Sequence, residues 1–522
     1  MSYHFLTLTF ILILATITSV FSYKAFDSIL PKNQLKQWRN SWYAVTLIVF
    51  LAGNFWLFII VCGLYLIYIS RREENVLALY FALLLAIPPI DKVIPAIGLD
   101  HLFSMNYPRL LSLCLLFPLF LSIRAKPDRI TFLSTGPDKF VACIVTLTFL
   151  LSLRGTTISD AIRYGMSGFL DVFLPYYTAS RVIKNLDQLK VVMIAFIVGC
   201  LITASIGIFE YRSSWLLYNT LSKSLGVDWA FGGYIGRGLD IRAISTSGQP
   251  IVLGYVIVVA LGFYLYLSSL INSKIIKSIG YVFIGLGLFV TLSRGPWVGA
   301  IAAIIVFLAT GTNVSKKFII FIVAATLAIP ILQAVPGGNK VLDILPFIGK
   351  SEQFNVEYRD RLLDNSIKVI AKHPFFGVFN ATKEPEMQDL IQGEGIIDIV
   401  NAYVGLALGQ GLIGLLLFVG FFLLVLFKTY KAMKRHPKKS EAHLCGSSLI
   451  ATLVGVLVII YGVSTIGVIP ILYWSLAGLM LSYSRFTTIS TINALINLKN
   501  YDKKILHKDD YPTTIVRKNT RA

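Results

Sequence analysis

Residues 250–270, PIVLGYVIVVALGFYLYLSSL, run for 21 positions without a charged side chain. A bilayer core takes about 20 mostly apolar residues per helix, so this stretch reads as a transmembrane span. Further candidates lie outward from it in both directions, at 4–22, 44–69, 76–95, 109–124, 139–153, 163–181, 190–210, 277–292, 295–311, 317–334, 401–427, 447–463 and 466–484. The weakest is 163–181, which carries Asp171 and Pro175. The expected fold is therefore an all-α polytopic membrane protein of about 12–14 transmembrane helices. Composition agrees, since 56% of the 522 residues are apolar and only 14% charged, against about 25% charged in soluble domains. A mean hydropathy of +0.73 excludes a soluble enzyme.

Cys62, Cys114, Cys143, Cys200 and Cys445 lie in or beside apolar runs without Cys-x-x-Cys spacing, and read as buried small hydrophobes. Residues 4–22 follow no Lys or Arg and precede no small-x-small cleavage site, which favours an uncleaved first span over a signal peptide.

The net charge of +20 is explained by where the charges fall. Segment 428–444 carries Lys428, Lys431, Lys434, Arg435, Lys438 and Lys439 against Glu441, and the tail after Ser484 is also basic. The positive-inside rule places both in the cytoplasm. Alternating backwards puts Lys316/Lys317, Lys274/Lys277, the loops Arg181 to Lys190 and Arg124 to Lys139, and Arg71/Arg72 on the same side. Residues 23–43, with Lys24, Lys32, Lys36 and Arg39, fall outside against the rule, so the placement of the first two spans stays open. Nucleic acid drops out as a partner, because the excess charge records membrane orientation.

The resulting organisation is 1–210 N-terminal helices, 211–249 a first external loop, 250–334 central helices, 335–400 a large external loop, 401–484 C-terminal helices and 485–522 a basic cytoplasmic tail. The large loop holds ten acids against seven Lys/Arg, opposite in sign to the whole chain. Within it, Tyr358, Leu362, Leu363, Ser366/Ile367 and Ile370 recur at helical spacing with Arg359, Arg361, Asp364 and Lys368 between them. That pattern predicts an amphipathic surface helix ending at His373-Pro374.

External arginines stand out beside so much lipid. Ser293-Arg294-Gly295-Pro296-Trp297 joins two spans too closely for an ordinary loop, so Arg294 is expected at the membrane surface. Arg237 and Arg242 precede the span that begins at Pro250. A guanidinium fork suits phosphate oxygens. The competing role for each is a lipid headgroup contact or a pair with a loop carboxylate.

Several segments resemble the O-antigen ligase and Wzy polymerase superfamily. They are Arg242-Ala243-Ile244-Ser245-Thr246-Ser247-Gly248-Gln249-Pro250 to Gly254, Thr291-Leu292-Ser293-Arg294-Gly295-Pro296-Trp297-Val298-Gly299, Arg359 before His373-Pro374-Phe375-Phe376-Gly377, Asn401-Ala402-Tyr403, and Gly411-Leu412-Ile413-Gly414-Leu415. The resemblance implies a GT-C-like enzyme of the bacterial cytoplasmic (inner) membrane. Its donor and acceptor would be undecaprenyl-diphosphate-linked glycans, joined at the outer face without metal or other cofactor. Ligases of this superfamily carry a histidine just before the Asn-x-Tyr-like start, where this chain has Val400. That departure favours an inverting polymerase for exopolysaccharide, capsule or O-antigen, with a chain-length regulator as a further partner. A ligase acting on lipid A core or protein is the alternative, and a non-enzymatic transporter or flippase the third reading.

On this reading Arg242, Arg294 and Arg359, with Arg237 and Arg361, hold the diphosphate. Asp398, Glu394 and Glu210 are the candidate bases, and Asn401, Tyr403 and His373 line the acceptor side or support it structurally. Asp398 serves equally as a cap of the following helix, and Glu210 as a partner of Arg212.

Overall fold

Lipid offers backbone amides no partners, so spanning segments must satisfy their hydrogen bonds internally, which helices do. The computed structural model is helical almost throughout. It describes residues 2–95, 102–127, 129–155, 158–228, 233–237, 240–312, 353–391 and 395–506, together with 314–316, 318–319, 322–323, 326 and 330. The helices used below are α1 (Ser2–Phe26), α2 (Lys32–Leu51), α3 (Phe55–Ser70), α4 (Val76–Leu83), α5 (Tyr107–Ala125), α6 (Gly136–Ser152), α7 (158–182), α8 (Leu186–Ser213) and α9 (Thr220–Leu225). They continue with α10 (Pro250–Leu267), α11 (Lys274–Val290), α12 (Arg294–Thr310), α13 (Gln353–Lys372), α14 (Ala402–Met433), α15 (Glu441–Ile460) and α16 (Ile469–Leu506). Two short antiparallel ribbons pair β1 (Lys92–Val93) with β2 (Ser104–Met105), and β3 (Gly236–Arg237) with β4 (Asp240–Ile241).

The chain is an all-α polytopic membrane protein. Six described helices are long and apolar enough to cross a membrane: Tyr3–Phe26, Tyr107–Ala125, Leu186–Ser213, Pro250–Leu270, Ala402–Met433 and Glu441–Ile460. The apolar helices α3 and α12 are shorter. Most of 317–334 and the first part of the large loop lie outside the described residues.

Two expected spans need correction. The run 44–69 is not one helix, because Gly53 takes φ +60° and Asn54 caps α3, its side chain accepting from the amides of Trp56 and Leu57. The run 76–95 forms only the eight-residue α4, buried from Leu77 onward and packed on α8, before the chain meets Pro88-Pro89. Hydropathy reports burial in apolar surroundings, and protein interior satisfies it as well as lipid does. One cysteine also departs from expectation: Cys143 is exposed on α6, and the other four are buried.

The core centres on α8 and α10, the most enclosed of the long helices. Close backbone approach holds the neighbouring pair together. A Cβ on Gly299 of α12 would lie 2.8 Å from the carbonyl oxygen of Gly455 on α15, so small residues set the contact.

Two ends of the bundle differ in charge. At one, Arg485 donates to the carbonyls of Ser180 and Ile183, and Arg435 to Thr488, gathering the basic turns. At the other, α13 and two 3₁₀ turns form a cap with its own small core of Tyr358, Leu362, Val369, Ala381, Met387 and Leu390 against Val404 and Leu408. The buried face of α13 follows the predicted helical period, but Leu363 and Ile367 stay exposed. Lys372 and Glu386 pair across this cap, which lowers the carboxyl and raises the ammonium from their ordinary values.

Candidate functional site

The candidate site lies at the end of the bundle that carries this cap, and Arg242 is anchored there. Its Nε donates to the carbonyl of Thr291 at 3.1 Å and its Nη2 to Ser293 Oγ at 2.7 Å. These are the residues of the tight turn between α11 and α12, and Arg294 is the first residue of α12. The backbone follows, with Ala243 N donating to Val290 O at 3.0 Å. Helix packing fixes the register: a Cβ on Gly254 would lie 2.5 Å from the Pro296 ring, so the starts of α10 and α12 are in direct contact. Two residues in this small region adopt left-handed backbone, Ser245 at φ +48° and Leu292 at φ +46°. Such strain in non-glycine residues costs on the order of 1–3 kcal/mol each and persists where surrounding structure imposes it.

Glu210 supplies part of that imposition. It is fully buried at the end of α8, where Oε1 accepts from Leu217 N at 3.0 Å and Oε2 from Ile244 N at 3.2 Å and Ser245 N at 2.8 Å. A carboxylate shared among three backbone amides ties both sides of the first external loop to α8. The expected alternative, a pair with Arg212, is replaced by these amide contacts.

The second constellation arises from a chain reversal. Within α14, Gly411 sits at φ +68°, ψ −172°, a conformation essentially restricted to glycine. In a continuous helix Tyr403 and Phe418 would be about 22 Å apart along the axis, yet their ring centroids are 6.1 Å apart. Ala402–Gln410 therefore folds back along the helix that follows. The turn His373-Pro374-Phe375-Phe376-Gly377 docks into the break. Pro374 O accepts from Leu412 N at 2.7 Å, and Val378 N donates to Leu408 O at 2.7 Å. Arg154, just past α6, clamps the same turn, donating to the carbonyls of Gly377 and Phe376 at 2.9 Å each and of Gly409 at 3.3 Å.

Asn401 caps the folded-back helix, accepting from Tyr403 N and Val404 N at 3.0 and 3.2 Å. The cap is thus Asn401, and Asp398 is left for other contacts. Cavities open on both sides of this helix start. One, of about 360 Å³, is lined by Arg154, Asn401, Gln410, Ser464 and Thr465 among others. The other, of about 260 Å³, is lined by Arg359, Asp360, Val400, Asn401 and Gly462 among others. A third, also about 260 Å³, touches Thr465 from the far side and reaches Ser247, Gln249, Arg109 and Asp171. The turn 461–467 after α15 is the shared wall of all three.

The sequence-nominated residues divide as follows. Arg242 is held on the turn after α11, and Arg294 is the next residue after that turn. Arg359 reaches the 461–467 turn, its Nη2 lying 3.4 Å from Gly462 O. Asp398 is exposed beside the same turn and accepts from Ser464 Oγ at 3.1 Å, while its backbone exchanges hydrogen bonds with the Tyr358 hydroxyl. Arg361, two positions beyond Arg359, is exposed and lines none of these three cavities. Tyr403 directs its hydroxyl to Leu457 O at 2.9 Å, a packing role. His373 is exposed at the end of α13 and contributes its backbone to the docked turn. Arg237 lies in β3, and Glu394 falls outside the described residues.

Two further features carry no signal in local sequence. Arg154 looks like an ordinary helix-end cation until the turn it clamps arrives from more than 200 residues away. Asp171, which weakens the apolar pattern of its span, is answered by Arg109 at 2.9 Å, and both side chains are mostly buried. A five- and a six-residue π-helical turn, Ser112–Leu116 and Gly168–Phe173, accompany the pair. Such turns are frequent at functional sites.

Residues 279–419 match the family model Wzy_C, described as O-Antigen ligase. The matched segment runs from α11 through the docked turn and the reversal at Gly411. No curated protein matches the chain.

Proposed function

We propose that this chain, whose residues 279–419 support membership of the O-antigen ligase/Wzy superfamily, polymerises lipid-linked glycan repeats at the outer face of the bacterial cytoplasmic membrane. Glycan transfer between lipid-linked substrates is the family-level activity, and the polymerase assignment is the finer reading. The observation that carries it is the anchoring of Arg242 on the turn that presents Arg294. Guanidinium groups from distant parts of the chain, held at a helix start, form a cradle suited to a departing diphosphate. Arg359, beside the 461–467 turn, extends that cradle toward Asn401, with Arg237 nearby in sequence.

Breaking a sugar–diphosphate bond needs charge stabilisation at the leaving group and modest help in removing the acceptor proton. Asp398, exposed beside Asn401 and Ser464, is suited to that help. Glu210, with both oxygens committed to amides, acts through the loop bearing Arg242 and is a positioning residue. Val400 lines the cavity next to Asn401, so the place of a ligase-type histidine is apolar, which supports polymerisation over ligation. The family description favours the second reading, a ligase passing finished glycan to lipid A core or protein.

Purified Arg294→Ala and Arg359→Ala are expected to fold and to fail in extending lipid-linked repeats in proteoliposomes without an energy source. Normal chain lengths from either overturn the assignment of the cradle. In a deletion strain, loss of long chains supports a polymerase, and accumulation of long lipid-linked chains supports the ligase.

A further inference from the structure

At the opposite, basic end of the bundle, a cavity of about 510 Å³ opens among α6, α7, α14 and α16. On α14, Leu424, Phe427, Lys428 and Lys431 recur at i, i+3, i+4 and i+7, and Arg435 follows just past the helix end, so one face carries both apolar and cationic wall. Arg485 joins them from α16. The carboxylate in the lining, Asp138, is already engaged: Arg181 Nη2 lies 2.8 Å from Oδ2 and the Tyr176 hydroxyl 2.9 Å from Oδ1, with the Asp138 and Arg181 side chains almost wholly buried. Among the described residues, no carboxylate stands within ion-pair distance of Lys428, Lys431, Arg435 or Arg485. Arg435 donates from Nη1 to Thr488, and Arg485 donates to two backbone carbonyls. Four cations stand around one concavity whose lining carboxylate, Asp138, is already paired with Arg181, so they repel one another and an anionic guest offsets that repulsion.

We propose that this cavity binds the headgroup of an anionic glycerophospholipid from the surrounding leaflet. The phosphate sits among Lys428, Lys431 and Arg435, whose donors suit phosphate oxygens. The apolar part of the wall argues for lipid over a soluble anion, because Phe427 and Ile489 are 62% and 52% exposed at the cavity and offer surface to acyl chains. Basic pockets between transmembrane helices at the cytoplasmic side take anionic headgroups by the same physics. The site is separate from the glycan-transfer cradle and tethers α14, whose far end carries the reversal at Gly411, to the leaflet on the basic side.

The test uses full-length protein in a neutral detergent, with phosphatidylglycerol, phosphatidylcholine and inorganic phosphate as probes. Bound lipid is read by native mass spectrometry and by the thermal unfolding midpoint. Phosphatidylglycerol is expected to be retained and to raise the midpoint, and the other two probes to do neither. Lys428→Gln with Lys431→Gln is expected to weaken phosphatidylglycerol binding roughly 25-fold, about fivefold for each cation removed. Both lysines are at least partly exposed, so the packed helix faces stay intact. Lys438→Gln with Lys439→Gln, outside the cavity lining, is expected to leave binding unchanged. Undiminished binding by the cavity variant, equal retention of phosphatidylcholine, or displacement of the lipid by inorganic phosphate overturns the proposal.

Discussion

Replacing Gly411 by alanine tests the chain reversal directly. A Cβ there would lie 2.5 Å from Phe376 N and closer still to the Phe375 carbonyl, in the turn that docks into the helix break. The backbone conformation alone costs an alanine on the order of 1–3 kcal/mol. Displacing the docked turn adds roughly 1–3 kcal/mol, as overpacking does in well-packed interiors. The sum, about 2–6 kcal/mol, is large against the marginal stability of folded chains. Gly409, two residues earlier, is the control: it has ordinary helical backbone, and a Cβ there meets nothing within 4 Å. Gly409→Ala is expected to be neutral or to gain up to about 1 kcal/mol from helix propensity. Thermal unfolding of both variants in detergent, with glycan extension measured in parallel, reads the difference. The reasoning fails if Gly411→Ala unfolds at the parental midpoint, or if Gly409→Ala is equally destabilised.

Arg154→Ala removes the donor to three carbonyls and, because the side chain is exposed, is expected to cost only about 1–2 kcal/mol. Faster amide exchange at Phe376 to Val378 would report the released turn, and unchanged exchange would discount the clamp. Asp171→Asn leaves Arg109 mostly buried without its charge partner, for a loss of about 2–4 kcal/mol allowing for residual exposure. Adding Arg109→Gln should recover part of it in the same unfolding measurement. Burial pushes the Glu73 carboxyl up from its ordinary value, and its Oε2 has no hydrogen-bond partner. The native state then binds the proton more tightly than the unfolded chain, so this group's contribution is most favourable at acid pH and declines as pH rises through the folded pKa. Glu73→Gln should therefore unfold later than the parent at neutral pH, with the gap closing on acidification; a gap independent of pH would refute that origin.

Much of the architecture was legible because length and apolarity are local properties. The run 250–270 reads as a span from composition alone, and the periodicity of Tyr358, Leu362 and their neighbours announces α13. The misreading at 44–69 overlooked the break at Gly53-Asn54 inside an apolar run, whereas that at 76–95 has another cause. Apolar residues measure exclusion from water, and α4, buried in protein, is excluded as fully as a lipid-facing helix. Candidate site residues were legible where a guanidinium stood out against apolar surroundings, as at Arg242, Arg294 and Arg359. Glu210 was visible as a charge at a helix end, but the amides of Ile244 and Ser245 that it holds come from about 35 residues away.

By itself, the sequence determined that this chain lives in a membrane as packed helices, which end of the bundle is basic, and which arginines stand at the other. Tertiary structure alone decided that α14 reverses at Gly411, that Arg154 clamps the docked turn, that Arg109 answers Asp171, and that three cavities share the 461–467 turn. The division follows from range. Hydropathy and helix propensity are summed over neighbours in the chain, whereas a reversal needing left-handed backbone and a partner carbonyl from Phe375 exists only once residues 36 positions apart have met.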